Sequence, residues 1–127
     1  MDVRSYIKAA RLRTLPLSIS GIIVGSFFAV STGLFNLLIF LLAIITTIGF
    51  QVISNFANDY GDGIKGTDAI RTGEERMVSS GKISPKQMKL AIIITAILTI
   101  ITALFLIYSA FGASNFWYSL LFFLLGI

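Results

Sequence analysis

The sequence contains neither cysteine nor histidine, and only 13% of its 127 residues are charged. Without cysteine, the chain forms no disulfide and offers no thiolate to a metal or a substrate. Without histidine, it cannot build a Ser-His-Asp or Cys-His catalytic arrangement, and a zinc site loses its usual ligands. Any chemistry must therefore use carboxylates, amides, hydroxyls, Lys, Arg and a metal ion that accepts oxygen ligands.

Apolar side chains are what the sequence has in excess. Hydrophobic residues make up 56% of the chain, and the mean hydropathy is +0.90. A soluble domain has about a quarter of its residues charged. Too few charges remain here to solvate a globular surface, so we predict an integral membrane protein that is covered in large part by lipid.

Four apolar stretches predict an all-α fold, a polytopic bundle of transmembrane helices. The first three run over 15–32, 34–57 and 90–111, and each is long enough for the ~20 residues that cross a bilayer. The fourth begins near Phe116 and reaches Ile127 before it could span. We therefore expect about four helices, the last one cut short, with residues 1–127 forming the N-terminal part of a single larger membrane domain. A short interfacial helix is the alternative, and its uniformly apolar surface argues against it.

Basic residues occur only before the first stretch and between the second and third. They are Arg4, Lys8, Arg11, Arg13, Lys65, Arg71, Arg76, Lys82, Lys86 and Lys89. The positive-inside rule then places the N-terminus and the 58–89 loop in the cytoplasm of a multi-pass inner-membrane protein. Topology and contact with anionic lipid headgroups explain the net charge of +4, so we predict no nucleic-acid partner.

The second stretch turns polar toward its end. Asn55, Asn58 or Asp59, and Asp62 recur at helical spacing, so they share one face. Polar groups at a membrane boundary are costly unless they face a protein interior or a wet cavity. Glycines at 61, 63 and 66 follow, and each costs about 1 kcal/mol against alanine inside a helix. We therefore expect Asp59 and Asp62 in the last helical turn and Asp68 on a loop that folds back.

This polar segment has the composition of a metal–phosphate site. The carboxylates at 59, 62 and 68 and the amides at 55 and 58 suit a hard cation such as Mg²⁺. Bases that could bind phosphate follow closely, at Lys65, Arg71 and Arg76. The alternative is an ordinary polar loop with incidental ion pairs, which leaves the shared acidic face unexplained.

The run Asn58-Asp59-Tyr60-Gly61-Asp62, with Asp68 beyond it, resembles the first aspartate-rich motif of the UbiA-type intramembrane prenyltransferases. That motif reads N-D-x-x-D-x-x-x-D. Here position 66 is glycine, and the last acid comes two residues late. The longer spacing, and the stretches 11–16 and 76–84, are similar to the 1,4-dihydroxy-2-naphthoate polyprenyltransferases of menaquinone synthesis.

The resemblance implies a bundle of about nine membrane helices, in which two aspartate-rich motifs bind Mg²⁺ and a polyprenyl diphosphate. This chain would carry the first motif. Its metal ligands would be Asn58, Asp59, Asp62 and Asp68, with Asp59 and Asp62 essential for catalysis. Asn55, Lys65, Arg71 and Arg76 would contact the substrate. The expected acceptor is an aromatic ring, 1,4-dihydroxy-2-naphthoate, and the product is demethylmenaquinone.

Other functions compete with this interpretation. Another branch of the same superfamily would use a hydroxybenzoate, haem, chlorophyllide or glycerol-phosphate acceptor. A cation transporter or channel subunit would also contain acids, but transporter sites lie near the bilayer midplane and need no clustered bases. A non-catalytic scaffold would not need the acidic face.

Small residues inside the apolar stretches have a plainer interpretation. We predict that the Thr46-Thr47 pair and Gly21, Gly25 and Gly49 serve helix packing rather than chemistry. We also predict that Thr14 caps the first membrane helix.

Overall fold

The computed structural model describes residues 2–66 and 75–125, and within these ranges it contains helices and no strand. The all-α prediction is confirmed. The helices are α1 (Val3–Ala10), α2 (Leu15–Ser31), α3 (Leu37–Lys65) and α4 (Pro85–Leu125), with a 3-10 turn at Leu12–Thr14. Three helical stretches are long and apolar enough to cross a membrane, namely Val3–Ser31, Leu37–Lys65 and Pro85–Leu125.

A short connection leads from α1 into α2. Asp2 starts α1 by accepting a hydrogen bond from the backbone N–H of Arg4 at 3.1 Å. Arg11 ends it in the left-handed conformation, with φ of 50°. Thr14 precedes α2 as predicted, but its hydroxyl makes no capping bond and donates instead to the Arg11 carbonyl at 2.9 Å. The capping prediction is therefore wrong for the side chain, because Thr14 has nearly helical backbone angles, φ of −86° and ψ of −14°, instead of the extended ones with which a capping oxygen reaches the first N–H groups of the helix.

α3 is longer than the sequence suggests. Asn36 caps its start by accepting from the N–H of Ile39 at 3.1 Å. The helix then continues through Gly61 and Gly63 and ends only at Gly66, whose φ is 66°. The glycines at 61 and 63 therefore do not end the helix, so that Asp62 lies in its last turn as expected, whereas Asp59 lies one turn earlier. Contacts of this end of α3 with residues that follow in the chain offset the local cost of glycine.

α4 doubles back at Gly112, whose φ of 69° and ψ of 179° are not helical. Gly49 of α3 faces Thr99, yet the neighbouring Phe50 packs on Phe123 with ring centroids 6.0 Å apart. In a straight helix, positions 99 and 123 would be separated by ~36 Å. The limb after Gly112 must therefore run back along α3, as expected for a separate fourth apolar segment.

The α3–α4 interface inside the apolar region depends on small residues. A Cβ atom at Gly49 would lie 2.8 Å from Thr99 Cγ2, so only glycine allows this approach. The Thr46 hydroxyl donates to the Thr102 hydroxyl at 3.2 Å. The packing prediction is thus confirmed for Thr46 and Gly49. It stays a prediction for Gly21 and Gly25, since no described residue lies within 4 Å of a Cβ atom added at either position.

The best-buried cluster lies at the C-terminal end of α3 rather than in the middle of the apolar helices. Its members come from α1, α3, the segment before α4 and the start of α4. They are Ala9, Ala10, Phe56, Met77, Val78, Ile83 and Met88. Tyr6 adds an edge-on ring contact with Phe56 at 6.3 Å. The polar end of α3 is therefore supported by a packed apolar core.

Candidate functional site

Asp59 is the most deeply buried acidic side chain in the described residues, with 1% of its surface exposed. Its two carboxylate oxygens accept hydrogen bonds from the backbone N–H groups of Met77 at 2.9 Å and Val78 at 2.8 Å. Hydrogen bonds from neutral donors to a charged acceptor are stronger than neutral ones, at about 1.5–3 kcal/mol each. Asp59 therefore joins α3 directly to the segment before α4.

That segment, residues 76–83, folds into a compact unit that we call the docked loop. Its backbone N–H groups at 80, 81 and 83 bond back to the carbonyls of 76, 78 and 77, at 3.0–3.1 Å. Gly81 supplies a left-handed turn with φ of 74°. The loop's own turns leave the N–H groups of Met77 and Val78 to the Asp59 carboxylate. Buried backbone donors need such partners, so the loop is complete only when both oxygens of Asp59 are present as acceptors.

Ser84 and Gln87 fix the passage from this loop into α4. The Ser84 hydroxyl accepts from the N–H of Gln87 at 3.2 Å, and the Gln87 side chain accepts from the N–H of Ser84 at 3.0 Å. This reciprocal pair is a capping box. The start of α4 therefore follows immediately from the position of the docked loop.

Gly63 lets the docked loop lie against α3. A Cβ atom there would lie 2.7 Å from Val78 Cβ and 3.4 Å from the backbone nitrogen of Ser79. Gly61, half a turn earlier, has open space around it. The two glycines, which look alike in sequence, thus differ in what they contact.

Arg76 and Asp62 meet at the open edge of this arrangement. Arg76 Nη2 lies 2.8 Å from Asp62 Oδ2, and the side chains are 6% and 34% exposed, respectively. The structure therefore brings together one predicted metal ligand and one predicted phosphate contact. The guanidinium is buried on the side of the loop, whereas the carboxylate remains accessible.

Asn58 and Lys65 complete the accessible part of the polar segment. Asn58 is exposed one helical turn before Asp62, so the two side chains can reach a common ligand. Lys65 is exposed at the last residue of α3. Asp68 and Arg71 lie outside the described residues. Within the described residues, no three acidic side chains converge on a possible metal position.

Asn55 is part of a polar contact between helices. It is buried, and its amide donates to the carbonyl of Ala10 at 2.8 Å and to the hydroxyl of Thr14 at 3.3 Å. Gln51 donates to the Asn55 side-chain oxygen at 3.5 Å and accepts a short hydrogen bond from Ser18. These contacts hold the α1–α2 connection on α3. Sequence reasoning missed Ser18. The spacing of one helical turn between Gln51 and Asn55 could have indicated that the two side chains interact, but it does not point to Ser18 as their partner.

An exposed ion pair joins Glu75, the residue just before the docked loop, to Lys82 near the end of the loop. Glu75 Oε2 lies 2.8 Å from Lys82 Nζ. The hydrogen bond from Lys82 holds the pKa of Glu75 below its ordinary value. Exposed pairs of this kind contribute little to stability. The pair therefore serves as a useful reference for the buried contacts of Asp59.

Comparison with known proteins identifies the family. The model of the UbiA prenyltransferase family matches residues 18–127. This chain belongs to the UbiA prenyltransferase family. The match includes α3, the docked loop and α4, so every described residue of the polar segment lies inside the UbiA-family region.

Among curated proteins, this UbiA-family chain is similar to several enzymes of one name. It is 42% identical over 105 residues to the 1,4-dihydroxy-2-naphthoate octaprenyltransferase of Escherichia coli (strain K12), an alignment that covers 82% of this chain and 34% of that protein. It is 40% identical over 109 residues to the enzyme of the same name from Haemophilus influenzae, covering 83% and 35%. The chain thus spans about a third of the length of these relatives. No solved structure matches it significantly.

Proposed function

We propose that this chain is the N-terminal part of a single-domain membrane prenyltransferase that transfers a polyprenyl group from an allylic diphosphate to an aromatic acceptor. The proposed acceptor is 1,4-dihydroxy-2-naphthoate, which would give demethylmenaquinone. The observation that carries this proposal is the 40–42% identity to two 1,4-dihydroxy-2-naphthoate octaprenyltransferases. The accessible side chains of Asn58 and Asp62, with the buried Arg76 held against Asp62, support it from the structure.

The proposed cofactor is Mg²⁺, since the UbiA family generally uses a divalent metal ion. Asn58 and Asp62 fit this ion, because their accessible oxygens lie one helical turn apart and Mg²⁺ commonly takes one or two carboxylates together with phosphate oxygens and water. Asp68 is the proposed third protein ligand. When bound, the metal ion would neutralise the charge that develops on the diphosphate leaving group.

The bases beside this carboxylate are the proposed diphosphate contacts. Arg76, which is 6% exposed and held 2.8 Å from Asp62, is proposed to donate to a phosphate oxygen that binds beside this carboxylate. Lys65 and Arg71 are proposed to add positive charge. Asn55, about one helical turn before Asn58 in α3, is proposed to orient a ligand or water. The buried amide bonds of Asn55 favour an indirect contribution, through the position of α3.

The surroundings of the site fit a donor that is part lipid. The three apolar helical stretches would provide a membrane environment for the polyprenyl chain, and the diphosphate would remain at the basic end of α3. From the distribution of basic residues, we propose that this end faces the cytoplasm and that the membrane is the inner one.

An assay of membranes that contain the complete enzyme tests the proposal. They are supplied with 1,4-dihydroxy-2-naphthoate and a long-chain allylic diphosphate, with Mg²⁺ or with a chelator. We expect Mg²⁺-dependent formation of the prenylated naphthoquinol. Asp62→Asn should reduce turnover by about 100-fold or more, since a metal ligand is lost. Glu75→Gln, a matched change on an exposed carboxylate, should leave turnover unaltered.

Two other outcomes would change the conclusion. Activity on a different aromatic acceptor would keep the reaction class and overturn the naphthoate assignment. If the diphosphate is not consumed with any acceptor, the prenyltransferase proposal fails, and an acidic cation pathway becomes the better explanation.

A further inference from the structure

We propose that Asp59 is a positioning residue whose carboxylate fixes the docked loop on α3 and thereby brings Arg76 to Asp62, without binding the metal ion itself. This inference rests on the proposed function only in stating why the loop is held, namely to place Arg76 beside the proposed metal and substrate site. It changes the role that the sequence pattern suggests, because that pattern treats Asp59 and Asp62 as equivalent metal ligands.

Burial and direction separate the two carboxylates. Asp59 is 1% exposed, whereas the Asp62 side chain is 34% exposed. Asn58 and Asp62 lie about 40° apart around the helix, whereas Asp59 lies about 100° from Asn58 and about 60° from Asp62. The hydrogen bonds of Asp59 to Met77 and Val78 direct it into the docked loop, while Asp62 stays partly exposed.

The partners of Asp59 argue against a ligand role. Each of its oxygens already accepts a backbone N–H, from Met77 and from Val78. A metal ion at this position would compete with these donors at a side chain that is 1% exposed. Mg²⁺ usually keeps several bound waters, and so deeply buried a carboxylate leaves little room for them.

A short chain of contacts leads from Asp59 to the accessible site. The backbone N–H groups that it holds belong to the residues immediately after Arg76. The Arg76 carbonyl is held in turn by the N–H of Ser80 at 3.1 Å. The Arg76 guanidinium then reaches Asp62 at 2.8 Å. Asp59 therefore holds the backbone of the docked loop, and Asp62, about one helical turn later, holds the Arg76 side chain of the same loop.

The absence of cysteine from residues 1–127 favours a thiol-labelling test of loop docking. In the complete detergent-solubilised enzyme, with any cysteine beyond residue 127 replaced by serine, Val78→Cys introduces a single thiol at a position that is 7% exposed. We expect slow reaction with a polar maleimide, and a rate increase of roughly tenfold or more when Asp59→Asn is added, because local opening exposes the loop. Ser80→Cys, at an exposed position, is the matched control and should react rapidly in both backgrounds.

Metal binding without turnover provides the second measurement. Mn²⁺ binding to the same enzyme is followed by electron paramagnetic resonance, with inorganic pyrophosphate present. We expect Asp59→Asn to keep Mn²⁺ affinity within about threefold of the unaltered enzyme, and Asp62→Asn to lose about tenfold or more, as expected for loss of a ligand. Turnover of Asp59→Asn should fall mainly through a higher KM for the allylic diphosphate.

A second variant covers the case in which Asp59→Asn does not fold. Gly63→Ala displaces Val78 without altering any carboxylate, so it should also increase maleimide reaction while leaving Mn²⁺ affinity unchanged. The inference is overturned if position 78 stays protected in Asp59→Asn while Mn²⁺ affinity falls as it does in Asp62→Asn. It is also overturned if Asp59→Asn changes neither measurement. Neither measurement requires prenyl transfer, so failure of the proposed function would be recognised separately.

Discussion

Substituting Gly63 by alanine gives a prediction whose size follows from the structure. The added Cβ would lie 2.7 Å from Val78 Cβ, whereas carbon atoms in contact prefer about 3.5–4.0 Å. The docked loop or α3 must therefore move by about 1 Å, and overpacking of this kind costs about 1–3 kcal/mol. Alanine recovers up to about 1 kcal/mol through its better helix propensity.

Gly61→Ala is the matched control, because it makes the same chemical change in the same helix with nothing within 4 Å. It should gain helix propensity without a clash. The difference in stability between the two variants therefore isolates the cost of the clash. We expect Gly63→Ala to be less stable than Gly61→Ala by about 2 kcal/mol. A difference of this size multiplies the population of the opened loop by about 30.

Two assays measure this difference. Maleimide reaction at Val78→Cys reports the opened population when opening and closing are faster than the chemistry. Unfolding in mixed detergent–denaturant micelles reports stability. Equal reaction rates and equal stability for Gly61→Ala and Gly63→Ala would refute the close contact between Gly63 and the docked loop.

Three further predictions follow from other contacts. Arg76→Ala should increase KM for the allylic diphosphate by about tenfold or more in steady-state assays, since a charge-assisted contact is lost, and an unchanged KM would remove Arg76 from the substrate site. Gly49→Ala should lower the thermal midpoint by a few degrees through its clash with Thr99, whereas Gly25→Ala, in open space, should not; equal midpoints would contradict the α3–α4 interface. Because Lys82 lowers the pKa of Glu75, the ion pair adds a small stability that is present at neutral pH and is lost as the pH falls through the lowered pKa. Unfolding measured over a range of acidic pH should therefore differ between Glu75→Gln and the unaltered protein. Identical pH profiles would show that the exposed pair contributes nothing.

Sequence reasoning predicted the apolar helices well, because lipid selects for length and hydropathy along one continuous segment. α2 and the first part of α3 lie where these patterns placed them. The end of α3 was predicted too short, since helix propensity is local while the contacts that extend the helix come from the docked loop. Composition predicted acids and bases side by side, and the structure places Arg76 against Asp62, while their roles as metal ligand and substrate contact stay predictions.

The different environments of Asp59 and Asp62 could not be predicted. Both are aspartates at helical spacing, and only the position of the docked loop decides which one is buried. The same reason applies to Asn55, whose buried amide depends on where the α1–α2 connection crosses α3. Burial of a polar side chain is a property of the distant segment that covers it.

The contact between Asp59 and the docked loop also determines how far α4 can slide along α3. Between apolar helices in lipid, association depends on close packing with little directional force, and a shift by one turn exchanges one set of apolar contacts for a similar set. Hydrogen bonds of 2.8–2.9 Å do not survive such a shift, because it moves each partner by about 5.4 Å. Because the capping box at the start of α4 follows the docked loop directly, the buried carboxylate of Asp59 determines how far α4 is shifted along the axis of α3.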